Sequence, residues 1–386
     1  MALTIYQEPQ AYTPAYNEQT ILALSNQIAV SDFKYVVTVQ VNGGTTFTYN
    51  VLQRPDGYLV FDAMEIVKNY ITRDYFNPFD YVGLATGKSA SVVVTVKEYY
   101  TGAIHGTHAT SYIAYDACFN DYDFRNYGYP SYVSDSSAGR LLSPQTTEFN
   151  YPELKIDVKN DVWIHFFNYY YDKIDINVYD STSTLVGGFS LMLTSDINMW
   201  YANIGYNTLV SYGILPLDGY SVEIDFITGT TSHFSTSYTF YDLCTRHKKY
   251  AIQYLKRNGN INVFNFEFLS QETINKKVNN VRLNPKRITS GGTKYESNSW
   301  DREVNTVSTL TTKQITLNTN WITESQSEQL AELFDSPIVW LVIDGDYKPI
   351  SITDTSYKVN KTVNEKLFNY TITCEYDVQE TRQRAI

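Results

Sequence analysis

The chain has 386 residues, 43% of them hydrophobic, which is enough to build real cores and excludes disorder on a large scale. Its net charge of −11 is uneven: residues 1–245 hold 11 Lys and Arg against 25 Asp and Glu, whereas residues 246–386 hold 19 against 16. This balance argues against nucleic acid as a main partner, since phosphate binding needs a concentrated basic face. The length predicts about two or three domains of roughly 100–200 residues each. Tyrosine stands out, with 35 residues against 19 Phe. It suits half-buried pleated surfaces, and also interfaces that want an apolar ring with a wet hydroxyl.

The first segment, residues 1–140, opens with an extended arm, "YQEPQAYTPAYNEQ", whose prolines and lack of periodicity predict mobility when alone. "FKYVVTVQV", Asn42-Gly43-Gly44 and "TTFTYNVL" read as a hairpin. "YLVFDAMEIVKNYI" follows, with Asp62 and Glu65 in capping-box spacing and Met64, Val67 and Ile71 on one helical face. "SASVVVTVKEYY" and "HATSYIAYDACF" supply further strands, so the segment reads as a small β-sandwich carrying one short helix. Residues 120–148 are rich in Gly, Pro and Ser and read as a linker or elaborated loop.

The second segment, residues 141–245, is more purely β: "VWIHFFNYYY", "KIDINVYD", "LVGGFSLML", "YSVEIDFI" and "HFSTSYTFYDL". Turn signals recur between them at the spacing of an immunoglobulin- or fibronectin-like sandwich. The third segment, residues 246–386, is a β-rich domain with one capped helix in "NWITESQSEQLAELFDSPIVWLVIDGD". Thr323 with Gln326 forms a capping box, and Leu330, Leu333 and Phe334 fall on one helical face, with Glu324, Glu328 and Glu332 on another. Pro337 ends the helix by biasing Ser336 away from helical dihedrals. The closing strand "LFNYTITCEYD" alternates, placing Phe368, Tyr370, Ile372, Cys374 and Tyr376 on one side, so Cys374 reads as an inert core thiol. The fold class expected is mainly β, with multi-domain β-sandwiches and a few short helices.

Chemistry is sparsely signalled. No nucleophile elbow, P-loop or H-E-x-x-H occurs, and Gly291-Gly292 lacks Walker spacing. His105 and His108 make two metal ligands without an obvious third, a weak site beside ordinary surface histidines. His165 sits mid-strand and reads as a packed histidine; His233 and His247 have no recognisable partners. Asp116, Asp121 and Asp123 cluster, yet a glycosidase pair cannot be inferred from an irregular loop, and a solvated acidic loop is the plainer reading. The basic runs Arg246–Lys249 and Lys276–Arg287 read as solvated strand edges. Three scattered cysteines, Cys118, Cys244 and Cys374, indicate neither a zinc site nor a disulfide framework and suit a reducing cytosol. The start shows no signal peptide, and no apolar run approaches the 18 residues of a membrane span. No catalytic residue, metal or cofactor is therefore expected. The candidate contact residues are aromatic: Tyr6, Tyr12 and Tyr16 in the arm, and Tyr122, Tyr127, Tyr129 and Tyr132 in the loop.

Three stretches of the third segment, "YAIQYLKRNGNINVFNFEF", "LNTNWITESQSEQLAELFDSPIVWL" and "ITDTSYKVNKTVNEKLFNYTITCEYD", together resemble a pattern in virion proteins of tailed phages of Bacteroidetes, including crAss-like phages. In that pattern a "LNR-GG-WDSF"-like hairpin precedes a "W-LTE-E" helix and a "ND-LFN" closing strand. Here Asn258-Gly259-Asn260 stands where a Gly-Gly turn is usual. "YLVFDAMEIVKNYI" is similar to that family's first domain, and the middle of the chain shows little resemblance. The resemblance implies a non-enzymatic structural protein of the tail, collar or baseplate, made in the host cytoplasm and located in the virion. Its expected partners are itself, in a symmetric ring, and other phage structural proteins. The alternative is a receptor-binding or tail-fibre adaptor module whose tyrosines contact host-surface glycan, and a glycan depolymerase comes third. Neither nucleic acid nor membrane insertion is expected.

Overall fold

The computed structural model of the chain describes residues 3–72, 81–119, 140–141, 156–157, 159–168, 171–194, 198–214, 219–241, 247–288, 291–292, 294–343, 345–354, 367–377 and 380–381. The protein is mainly β, with several sheets and a few short helices, as its alternating sequence requires. It divides into two compact units, Met1–Leu243 with Leu255–Val263, and Cys244–Tyr254 with Phe264–Ile386.

The first unit begins with β1 (Leu3–Gln7), β2 (Tyr12–Pro14), β3 (Thr20–Ser25), β4 (Lys34–Val41), β5 (Thr46–Val51) and β6 (Tyr58–Asp62). Helix α1 (Met64–Val67) precedes β7 (Val82–Leu84), β8 (Ser89–Tyr100), β9 (Ala103–Tyr115), β10 (Arg140–Leu141) and β11 (Ile156–Asp157). Then come β12 (Trp163–Asn168), β13 (Lys173–Asp180), β14 (Leu185–Met192), β15 (Asn198–Asn203), α2 (Tyr206–Ser211), β16 (Tyr220–Thr228) and β17 (Thr231–Tyr241). They form four sheets in the orders β1-β3-β6, β2-β9-β8-β4-β5, β10-β12-β15-β7 and β11-β17-β16-β13-β14.

Local chemistry explains these elements. The β4–β5 hairpin turns through Asn42 and Gly43, both at positive φ, and the Asn42 carboxamide accepts the Ser91 N–H of β8 at 2.9 Å. Asp62 Oδ1 accepts the Met64 and Gln19 N–H groups, satisfying one orphan donor at the start of α1. The β7–β15 ladder pairs Leu84 with Trp200 and Val82 with Ala202, so it bridges the expected boundary near residue 140. Strand β12 is buried on both faces, which is why it reads as a continuous apolar run. Phe166 packs edge-on to Phe226 of β16 at 5.2 Å, while Phe167 meets Tyr115 of β9 at 5.3 Å.

A further, large sheet is ordered β19-β18-β25-β26-β28-β23-β20 with β29 also on β23. These strands are β18 (Tyr250–Leu255), β19 (Ile261–Phe266), β20 (Gln271–Arg282), β23 (Val304–Asn318), β25 (Val339–Ile343), β26 (Asp346–Ile352), β28 (Thr371–Tyr376) and β29 (Glu380–Thr381). Two small ladders, β21 (Arg287–Ile288) with β22 (Tyr295–Glu296) and β24 (Ile322–Thr323) with β27 (Leu367–Phe368), accompany it. Helix α3 (Glu324–Asp335) buries Leu330 and Leu333, and its buried Ser327 hydroxyl donates to Tyr370 Oη at 2.8 Å. The side chains of Thr323, Glu324 and Glu328 lie outside the described residues. The closing strand alternates as its sequence predicts: Tyr370, Ile372 and Cys374 are buried, and burial pushes the Cys374 thiol up to about 12.

Candidate assembly surface

The arm is woven into the fold, which corrects the expectation of a free, mobile tail. Strand β1 pairs with β3, and β2 runs parallel to β9 with Tyr12 opposite Ile113. The Tyr12 ring lies 4.9 Å from Phe167, and Tyr16 packs on the core while its N–H donates to Ala117 O. Tyr6 keeps an exposed face, 57% accessible, and meets Tyr58 edge-on at 5.7 Å. The contact tyrosines expected at 122, 127, 129 and 132 lie outside the described residues, as do Asp121, Asp123 and Cys244.

His105 and His108, weighed from the sequence as a weak metal site, take separate partners. His105 is the extra residue at a β-bulge, stacks on Tyr100 and shares hydrogen bonds with Tyr100 O and Thr101 Oγ1. His108 instead pairs with Glu8 at 2.9 Å. Among the described residues no group of three or more His, Cys, Asp or Glu is placed to hold a metal ion.

Two strongly perturbed titratable groups, Lys88 and His165, belong to an interior cluster that no sequence motif announces. Lys88 is buried, and burial lowers its amine to about 8 against the opposing pull of Asp116. His165 is also buried; burial, then the Lys88 charge, drives it down to about 3. Its Nδ1 lies 2.9 Å from Asn260 Oδ1, within hydrogen-bond distance. The hairpin tip packs tightly here, because the Gly259 backbone sits against the Asp116 carbonyl. Perturbed groups often mark active sites, but Lys88, Asp116, His165 and Asn260 are each at most 4% exposed. The cluster is a buried group of polar side chains.

The exposed chemistry lies elsewhere. All twelve residues of β20 are exposed, and among the described residues β23 is its sole partner in the sheet. Beyond Leu310, β23 in turn pairs among the described residues with β20 alone, leaving a two-stranded ribbon that ends in the β21–β22 ladder. Of the 22 large apolar side chains exposed among the described residues, ten fall between Leu269 and Val307. Ile274, Val281, Ile288 and Trp300 are among them, Trp300 being 76% exposed. A two-stranded ribbon is marginal in water by itself, and alternation places Ile274 and Val278 on one of its faces and Val281 on the other, so both faces expose apolar side chains. Side-chain pairs stiffen it: Asn275 with Gln314, Asn279 with Ser308, Asn280 with Thr306, and Arg287 with Asp301. Residues 271–304 carry seven Lys and Arg against four Asp and Glu. Edge lysines guard against stray strand pairing, which accounts for Lys276 and Lys277 but not for the apolar side chains around them.

A second surface has the opposite sign. Among the described residues of 171–241 five Asp and Glu stand against a single Lys or Arg, Lys173. On the half-exposed face of this sheet Asp175 stands opposite Asp225, and Asn177 opposite Glu223. Ser190 donates to Asp175 at 2.5 Å and Tyr179 to Glu223 at 2.9 Å. Burial raises the Asp175 carboxyl, but hydrogen bonds from Lys173 and Ser190 hold it lower overall.

No protein-family model matches the chain, and no curated protein matches it. Among solved structures, it is similar at 6% identity to alpha-2-macroglobulin of E. coli, with 96% of this chain and 20% of that chain covered at a TM-score of 0.20. A beta-glucuronidase of Parabacteroides merdae aligns at 12% identity over 64% of this chain and 29% of that one, with a TM-score of 0.16. The chain thus spans less than a third of either protein, and overlaps this weak carry no argument about fold or activity. No helix among the described residues is long and apolar enough to cross a membrane.

Proposed function

We propose that the chain is a non-enzymatic structural subunit of a bacteriophage virion, placed in the tail, collar or baseplate and repeated within a symmetric assembly. The observation that carries this reading is the exposed ribbon of β20 and β23. It is an exposed, basic two-stranded element that carries apolar side chains on both faces. Such an element stabilises little in an isolated subunit and becomes useful when a neighbour buries it. The resemblance of the third segment to phage virion proteins supplies the class of assembly. Partners are other copies of the chain and neighbouring virion proteins. Mass spectrometry of particles of the encoding phage, purified to constant density, tests the reading. Peptides of this chain are expected to persist through salt and nuclease washes, and their loss from washed particles would overturn it.

A further inference from the structure

We propose that the basic ribbon of one copy lies across the acidic β13–β16 sheet face of a second copy, making a head-to-tail contact. Three observations converge on that occupant. The charges are complementary: residues 271–304 carry three more basic than acidic groups, and the described residues of 171–241 four more acidic than basic. Lys276 and Lys277 are exposed and take no ion-pair partner among the described residues, so their charge is available. At about 3.4 Å per residue β20, roughly 40 Å long, is also long enough to span the roughly 27 Å of β13. The flanking edge strand β14 exposes Leu185, Val186 and Met192, apolar partners for the ribbon's Ile274, Val278 and Trp300. Because the two surfaces differ, the contact is heterologous and repeats from copy to copy, giving a ring if the rotation closes and a filament if it does not.

The inference rests on the reading of the chain as a repeated structural subunit, and its test separates the two. Purified full-length protein is followed by sedimentation velocity over a concentration series at about 50 mM and about 500 mM salt. Association is expected to be concentration-dependent and at least about tenfold tighter at low salt. Lys276→Glu with Lys277→Glu, and separately Glu223→Lys with Asp225→Lys, should each weaken it at least about tenfold, and the fourfold exchange should restore it. Should the acidic-face reversal fail to fold by circular dichroism, Glu223→Gln with Asp225→Asn replaces it and should weaken association in the same direction. A chain that stays monomeric, or association indifferent to both sets of changes, overturns the contact, as does a fourfold exchange that does not restore it. Chain recovered in particles without self-association removes this contact and leaves the virion role, whereas self-association of a chain absent from particles does the reverse.

Discussion

Asn260 Oδ1 stands 2.9 Å from His165 Nδ1, and both residues are completely buried. A loop residue and a mid-strand imidazole thus share one hydrogen bond 95 positions apart in the chain. Truncation by Asn260→Ala removes the partner of a buried ring nitrogen and should cost about 1–3 kcal/mol, measured by urea unfolding.

The same imidazole sets an acid response. Its folded pKa is pushed down from 6.5 to about 3, first by burial and then by Lys88, so between those values the unfolded chain holds the extra proton. Stability is therefore complete above about pH 6.5 and is lost progressively toward about pH 3. The melting temperature should fall on acidification through that window, and His165→Gln should flatten the slope.

Gly259 tests the hairpin tip. It holds φ +87°, and a β-carbon there would meet the Asp116 carbonyl oxygen at 2.3 Å. Backbone cannot give way as a flexible side chain can. Gly259→Ala should cost at least about 2 kcal/mol, whereas Gly102→Ala, also at positive φ but in open space, should cost only its backbone strain. Thermal melts of the two variants compare them directly.

Deleting residues 2–17 should damage folding itself. Thr13 and Ala15 are completely buried, and the Asn17 carboxamide exchanges hydrogen bonds with the Phe119 backbone at 2.8 Å in both directions. The loss should far exceed the roughly 0.5 kcal/mol of an ordinary surface change. Unchanged melting of the truncated chain would mean that the arm adds nothing to stability.

In the second unit, core and ribbon should respond oppositely. Leu333 is fully buried, so Leu333→Ala should cost about 2–5 kcal/mol. Trp300→Ala, at a highly exposed site, should stay within about 0.5 kcal/mol in unfolding while weakening self-association.

Legibility in the sequence followed how local the controlling physics is. The Asn42-Gly43 turn, the α3 helix and the alternation through Tyr370, Ile372 and Cys374 are written within a few residues, and each forms where the pattern puts it. Burial of β12 on both faces, and the packing of Tyr12 on Phe167, depend on distant strands and leave no local mark. The ribbon was hidden for a similar reason. Its lysines and asparagines dilute the apolar alternation, so Lys276–Arg287 reads as a plain solvated edge. Only pairing with residues 304–316 shows how many apolar side chains share that exposed element.

The most direct measurement is the copy number of this chain in purified particles, counted with isotope-labelled peptides against the major capsid protein. A repeated structural subunit is expected at the same multi-copy ratio in every preparation, unchanged by high-salt washing. A ratio that varies between preparations, or falls to trace levels after washing, would contradict the structural role.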